Sequence, residues 1–113
     1  MSAAVARRRP FEIHVNAATR TISPRGEVDL ATAPNLLAAA QIYLTTTPGD
    51  LIIDLAAVPF GDSSLVNAVA DIQAGAREHD DAVTVINASA RLTRLFLLCG
   101  MTEMLDRTNL STN

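Results

Sequence analysis

The run Leu51-Ile52-Ile53-Asp54-Leu55 constrains this chain more than any other segment, because a nearly continuous apolar stretch of this length is the pattern of a strand covered on both faces. Such a strand lies in the middle of a sheet. Pro48 and Gly49 precede it and stop a helix whose inward stripe is Ala33, Leu36, Leu37, Ala40 and Leu44. Thr32 supplies an N-cap oxygen and Pro34 sits in the first turn, where its missing N–H costs nothing, so this helix is predicted to run to about Thr46. On the far side a loop from Val58 to Asp62 leads into Leu65, Val69, Ile72 and Ala76 at helical spacing, ending near Glu78-His79. Val83-Thr84-Val85-Ile86 is a second buried strand. Ser89 then caps a last helix with the inner stripe Leu92, Leu95, Phe96 and Cys99, and Gly100 is its C′ residue. Strand-helix-strand alternation with short loops implies parallel pairing, right-handed crossovers and helices against the sheet.

The N-terminal part reads differently. Phe11-Glu12-Ile13-His14-Val15 alternates apolar with polar at period two, as a half-buried outer strand does, and Arg20 to Val28 returns as a second extended segment after a turn at Asn16 to Thr19. Pro24 cannot donate to a ladder, so it must sit at a bulge or turn its nitrogen away from a neighbour. The expectation is an α/β fold: a single domain with a mixed sheet of about four strands, an N-terminal hairpin, and parallel strands linked by helices.

With 113 residues, 49% of them hydrophobic, the chain has the means for one core, assigned to residues 11–113, with residues 1–10 read as a flexible N-terminal arm. The formal net charge is −3 and the only basic cluster is Arg7-Arg8-Arg9, which argues against a nucleic-acid partner. No apolar h-region follows those arginines and no window approaches a membrane span, so neither export nor membrane insertion is expected. The single cysteine, Cys99, fits a reducing cytosol, and on the apolar stripe it reads as a small buried hydrophobe. The expected location is cytoplasmic.

Chemistry concentrates at Asp62-Ser63-Ser64. Asp62 or a serine ahead of an apolar periodic run is first of all an N-cap. A hydroxyl at a strand-to-helix junction also lies exposed beside unpaired backbone N–H groups, a good place for a phosphorylation switch. Glu27 and Asp29 either cap the Thr32 helix, stay solvated at a strand end, or contact a partner. His14 and His79 are isolated and make no metal site, and no cofactor is expected. A Gly-rich phosphate loop with lysine, a Gly-x-Ser-x-Gly elbow and a cysteine nucleophile with a nearby base are all missing, so no catalytic residues and no enzyme activity are expected. On the last helix Leu97 falls nearly opposite the inner stripe and is predicted to point outward.

Together these segments resemble the STAS domain family, and within it the small bacterial anti-sigma factor antagonists. Gly26-Glu27-Val28-Asp29 is similar to the motif ending the family's second strand. Asp50 to Leu55 with Val58-Pro59-Phe60 resembles its central strand and exit, Asp62-Ser63-Ser64 the signature opening the next helix, and Asn87 to Gly100 the segment after its fourth strand. Two positions depart: Leu65 stands where the family usually has glycine, and Gly61 where it usually has a larger residue. The resemblance implies a partner switch. The unphosphorylated antagonist binds an anti-sigma factor that is also a serine kinase, phosphorylation at Ser63 turns it off, and a PP2C-type phosphatase resets it. Glu27, Asp29, Asp62, Ser63, Ser64 and Leu65 would form the partner surface; Leu65, at the head of the inner stripe, either packs inward or projects beside Ser63, and the favoured expectation is that it projects and narrows the choice of kinase. A weak homodimer is compatible with this. The alternative that the resemblance leaves open is a non-phosphorylated STAS scaffold subunit of a stress-signalling or membrane-transporter complex. A nucleotide-sensing role has no specific residue behind it.

Overall fold

Period-two alternation at the N-terminus becomes the edge of a four-stranded sheet in the computed structural model, which describes residues 10–106. Strand β1 (Glu12–Asn16) pairs antiparallel with β2 (Thr21–Arg25), and β2, β3 (Leu51–Asp54) and β4 (Val83–Ile86) run parallel, in the order β1-β2-β3-β4. Helix α1 (Ala33–Thr46) links β2 to β3, α2 (Ser63–Arg77) links β3 to β4, and α3 (Ala90–Leu98) follows β4. The hairpin turn places Arg20 at φ 54°. There its Nε donates to the Asp50 carbonyl at 2.6 Å and a terminal N–H donates to the Thr47 carbonyl at 2.7 Å, while the guanidinium lies 5.1 Å from the Tyr43 ring centroid. One side chain thereby ties the hairpin to the last turn of α1 and the start of β3. Arg7-Arg8-Arg9 and all of the expected arm except Pro10 lie outside the described residues, and among those described no helix is long and apolar enough to cross a membrane.

Pro24 fits for a reason visible in the register. Ile52 N–H donates to the Arg20 carbonyl and Gly26 N–H donates to the Ala57 carbonyl, so the even-numbered residues of β2 turn their backbone groups toward β3. The β2–β3 ladder pairs only Thr21 with Ile52 and Ile22 with Ile53. Pro24 lies just beyond it, where no N–H is needed.

The central run departs from its predicted setting. Leu51 and Ile53 are buried, as are Val83 and Val85, but Ile52, Asp54, Thr84 and Ile86 are only half-buried. Strand order advances steadily across the sheet, so successive crossovers of one hand put α1 and α2 on the same face, where they pack on each other, and among the described residues leave the opposite face open. The core is therefore one-sided. Ile22, Leu36, Leu51, Ile53, Leu65, Ile72, Leu92 and Phe96 are all fully buried in it, each contributing about 1.5–3 kcal/mol by removal from water.

Helix α3 corrects a second expectation. Cys99 is exposed, not buried. Cys99 is the C-cap residue, and Gly100 adopts φ 70°, with Gly100 N–H donating to Leu97 O at 3.0 Å and Met101 N–H donating to Phe96 O at 2.9 Å. This 6→1 and 5→2 pair is a Schellman ending; Cys99 N–H still donates to Leu95 O at 3.1 Å, but the chain turns at Gly100 and the side chain at this last position stays exposed. Thr93 occupies the buried face instead, its hydroxyl donating to the Ala88 carbonyl. Leu97 does point outward, with 43% of its surface exposed, and Leu98 is exposed at 79%. Beyond α3 the chain returns to the sheet: Val85 N–H donates to Met104 O and Asp106 N–H to Val85 O, closing the outer edge of β4 at its midpoint.

Candidate functional site

Two loops at the carboxyl ends of β2 and β3 form one unit before any side chain is considered. Val28 N–H donates to Phe60 O at 3.0 Å, Asp62 N–H donates to Val28 O at 3.3 Å, and Val28 and Gly61 form a parallel bridge. Asp62 is held extended, at φ −115° and ψ −165°, and its Oδ1 accepts the Ser64 N–H at 2.8 Å. This is an N-cap. Ser63 consequently occupies the first position of α2, exposed, and its hydroxyl makes no hydrogen bond among the described residues. Ser64 is half-buried, with its backbone N–H already taken. The helix dipole at this end favours added negative charge on Ser63.

The neighbouring acids divide their work. Asp29 Oδ1 accepts the N–H groups of Ala31 at 2.9 Å and Thr32 at 3.1 Å, so this carboxylate holds the turn leading into α1. Thr32 occupies the N-cap position, as predicted, but its side chain caps nothing: its backbone is already helical at φ −103° and ψ −23°. Its hydroxyl is drawn back into the loop, donating to Glu27 O at 2.7 Å and accepting the Asp29 N–H at 2.9 Å. Glu27 keeps an exposed side chain beside this knot.

Leu65 is not a surface residue. It is fully buried, so the expectation that it meets a partner beside Ser63 is corrected. The reason lies at the other departure from the family pattern. A Cβ added to Gly61 would come within 2.6 Å of Leu65 Cδ2, which means that the Leu65 side chain occupies the space a larger residue at position 61 would fill. The two departures are one volume exchange.

Sequence reasoning overlooked the apolar residues of this surface. Leu30 is 81% exposed and Phe60 41% exposed. Leu30 lines, with Pro34, Leu37, Ser64, Asn67 and Asp71, a groove of about 230 Å³ between the starts of α1 and α2. A leucine between Asp29 and Ala31, off the α1 stripe, was the available signal. The structure thus brings Glu27, Asp29, Asp62, Ser63 and Ser64 to one end of the sheet, rimmed by Leu30 and Phe60.

A family model described as "Mlab, STAS domain" matches residues 11–106. The anti-sigma-B factor antagonist of Listeria monocytogenes is 29% identical over 84 residues, 74% of each chain. Among solved structures, an anti-sigma factor antagonist from Mycobacterium paratuberculosis superposes with a TM-score of 0.72 at 24% identity, covering 91% of this chain and 93% of that one. The anti-sigma factor antagonist SpoIIAA in its unphosphorylated form superposes with a TM-score of 0.72 at 18% identity over 86% of both chains. SpoIIAA in its phosphorylated form gives 0.65 at 18% identity, over 86% of this chain and 89% of that one. At these identities the superpositions establish a common fold.

Proposed function

The chain belongs to the STAS domain family, and we propose that within it the protein acts as an anti-sigma factor antagonist switched at Ser63. In the unmodified state the end of the sheet carrying Glu27, Asp62 and Ser63 docks on an anti-sigma factor with serine kinase activity, and Leu30 and Phe60 supply apolar contact. The kinase transfers the γ-phosphoryl group of ATP to Ser63 Oγ, the hydroxyl proton leaves, and ADP is the other product. A PP2C-type phosphatase hydrolyses the phosphoester and resets the switch. This chain catalyses neither step and works in the cytoplasm.

The observation that carries the reading is the exposed Ser63 hydroxyl, unbonded among the described residues, on the first residue of a helix already capped by Asp62. Phosphorylation there breaks no hydrogen bond of the fold. It adds about −1.5 to −2 charges at neutral pH, beside the Asp62 carboxylate. The helix dipole tolerates that charge within the domain, whereas a docked partner would have to desolvate it. The names of the Listeria relative and of SpoIIAA, a protein with structures in both phosphorylation states, support the same assignment.

Incubation with ATP and the candidate anti-sigma kinase, followed by phosphopeptide mapping, tests it. The label should fall on Ser63 and be absent from Ser63→Ala. Label on Ser64 contradicts the assignment, and no label with any cognate kinase favours the scaffold alternative.

A further inference from the structure

Among the described residues the outer edge of β1 is open, and it is self-complementary. Glu12, His14 and Asn16 lie opposite Arg25, Ser23 and Thr21, the residues of β2 whose backbone groups face β1, because the even-numbered residues of β2 face β3. The N–H and C=O groups of Phe11, Ile13 and Val15 therefore point away from the sheet. At the opposite side of the sheet, residues 104–106 cover the edge of β4. Among the described residues nothing does the same for β1, where Val15 leaves 48% of its surface exposed. An uncovered edge of this kind is a template for another strand.

The chemistry of the strand selects its partner. In an antiparallel two-fold pairing, outward residues must face outward residues, and the registers keeping most of Phe11–Val15 in contact are centred on residue 12, 13 or 14. Centring on 12 sets Glu12 against its own copy, and centring on 14 sets His14 against its own copy. Centring on Ile13 instead places Glu12 opposite His14 of the second copy, twice by symmetry, in the non-hydrogen-bonded pairs where side chains approach most closely. Within one copy Glu12 Oε1 and His14 Nε2 are already 2.9 Å apart on that face, and this contact, chiefly its hydrogen bond, holds the Glu12 carboxyl below its ordinary range. The paired strands would thus carry a ring of four alternating charges, flanked by Arg25 from each β2. On the other face Ile13 meets Ile13, and each Phe11 covers the exposed Val15 of the other copy.

We propose that β1 is a self-association edge, two copies of this chain pairing antiparallel through Phe11–Val15 about a two-fold axis at Ile13. The two four-stranded sheets become one continuous sheet. The association is independent of the Ser63 assignment.

Sedimentation velocity of the full chain over a dilution series near pH 6 tests this. A monomer–dimer equilibrium is expected. His14→Glu and Glu12→His should each weaken it about tenfold by setting like charges opposite one another. The double swap Glu12→His with His14→Glu should recover most of the lost affinity. Val15→Pro removes an outward N–H and no β1–β2 hydrogen bond, so it should abolish the dimer while circular dichroism shows a folded monomer. A chain that stays monomeric into the millimolar range overturns the proposal. So does a dimer indifferent to Val15→Pro, or a double swap no better than the single changes.

Discussion

Helices α1 and α2 begin with the same ingredients, a carboxylate and a hydroxyl, and use them in opposite ways. At α1 the carboxylate is Asp29, which takes the backbone N–H groups of the leading turn, and the hydroxyl of Thr32 is consumed from both sides by Glu27 O and Asp29 N–H. At α2 the carboxylate of Asp62 satisfies the helix start, and the adjacent hydroxyl of Ser63 is left in solvent. Capping by the residue before the serine is what makes the serine available. A hydroxyl that holds structure cannot be modified without loss, and one relieved of that work can.

The anchor beneath α2 should give the largest effect. Leu65→Ala removes a fully buried side chain and is expected to cost about 2–5 kcal/mol in denaturant unfolding. Gly61→Ala should cost about 1–3 kcal/mol alone, since its methyl meets Leu65, yet be neutral or stabilising in the Leu65→Ala background. Additivity of the two changes would break the volume-exchange account. Next come the caps: Asp62→Ala and Asp29→Ala should each lower stability by about 1 kcal/mol, read as a fall of about 4–8 °C in Tm. The hydroxyls sharpen the comparison most. Thr32→Val should cost about 1 kcal/mol through its two lost hydrogen bonds, whereas Ser63→Ala should change stability by less than about 0.5 kcal/mol. Equal costs at the two positions would mean that Ser63 has a structural duty after all. Leu97→Asp should be the mildest, leaving Tm near wild type because Leu97 already faces solvent.

Most of the architecture was legible in the sequence because it depends on local pattern. Hairpin, helices and parallel strands fall where the alternation of Phe11–Val15, the stripe Ala33 to Leu44 and the apolar runs placed them, and Asp62 and Ser89 cap as expected. What was misread depends on three-dimensional context. An apolar run cannot say whether its second face will be covered, which is decided by the direction in which the crossovers advance. Cys99 fits the wheel, but it is the C-cap residue at the Schellman turn and among the described residues nothing covers it. Thr32 was drawn into a loop network that begins at Glu27, five residues upstream. Leu65 heads the α2 stripe yet stands beside Ser63, and what turns it inward is the space left by Gly61, four residues before it. At the candidate site Ser63 and Asp62 were readable from their place at a strand-to-helix junction. Phe60 was not, because a single exposed apolar residue in a loop carries no periodic signal, and Leu30 was marked only by standing off the α1 stripe.

On the proposed reading, charge on Ser63 releases a partner without disturbing the fold. Affinity for the anti-sigma factor, measured by calorimetric titration before and after stoichiometric phosphorylation with Tm recorded on the same samples, tests it directly. At least a tenfold loss of affinity is expected, about 1.4 kcal/mol, with the two melting curves nearly superimposed. Unchanged affinity, or a loss matched by a collapse in Tm, would contradict it.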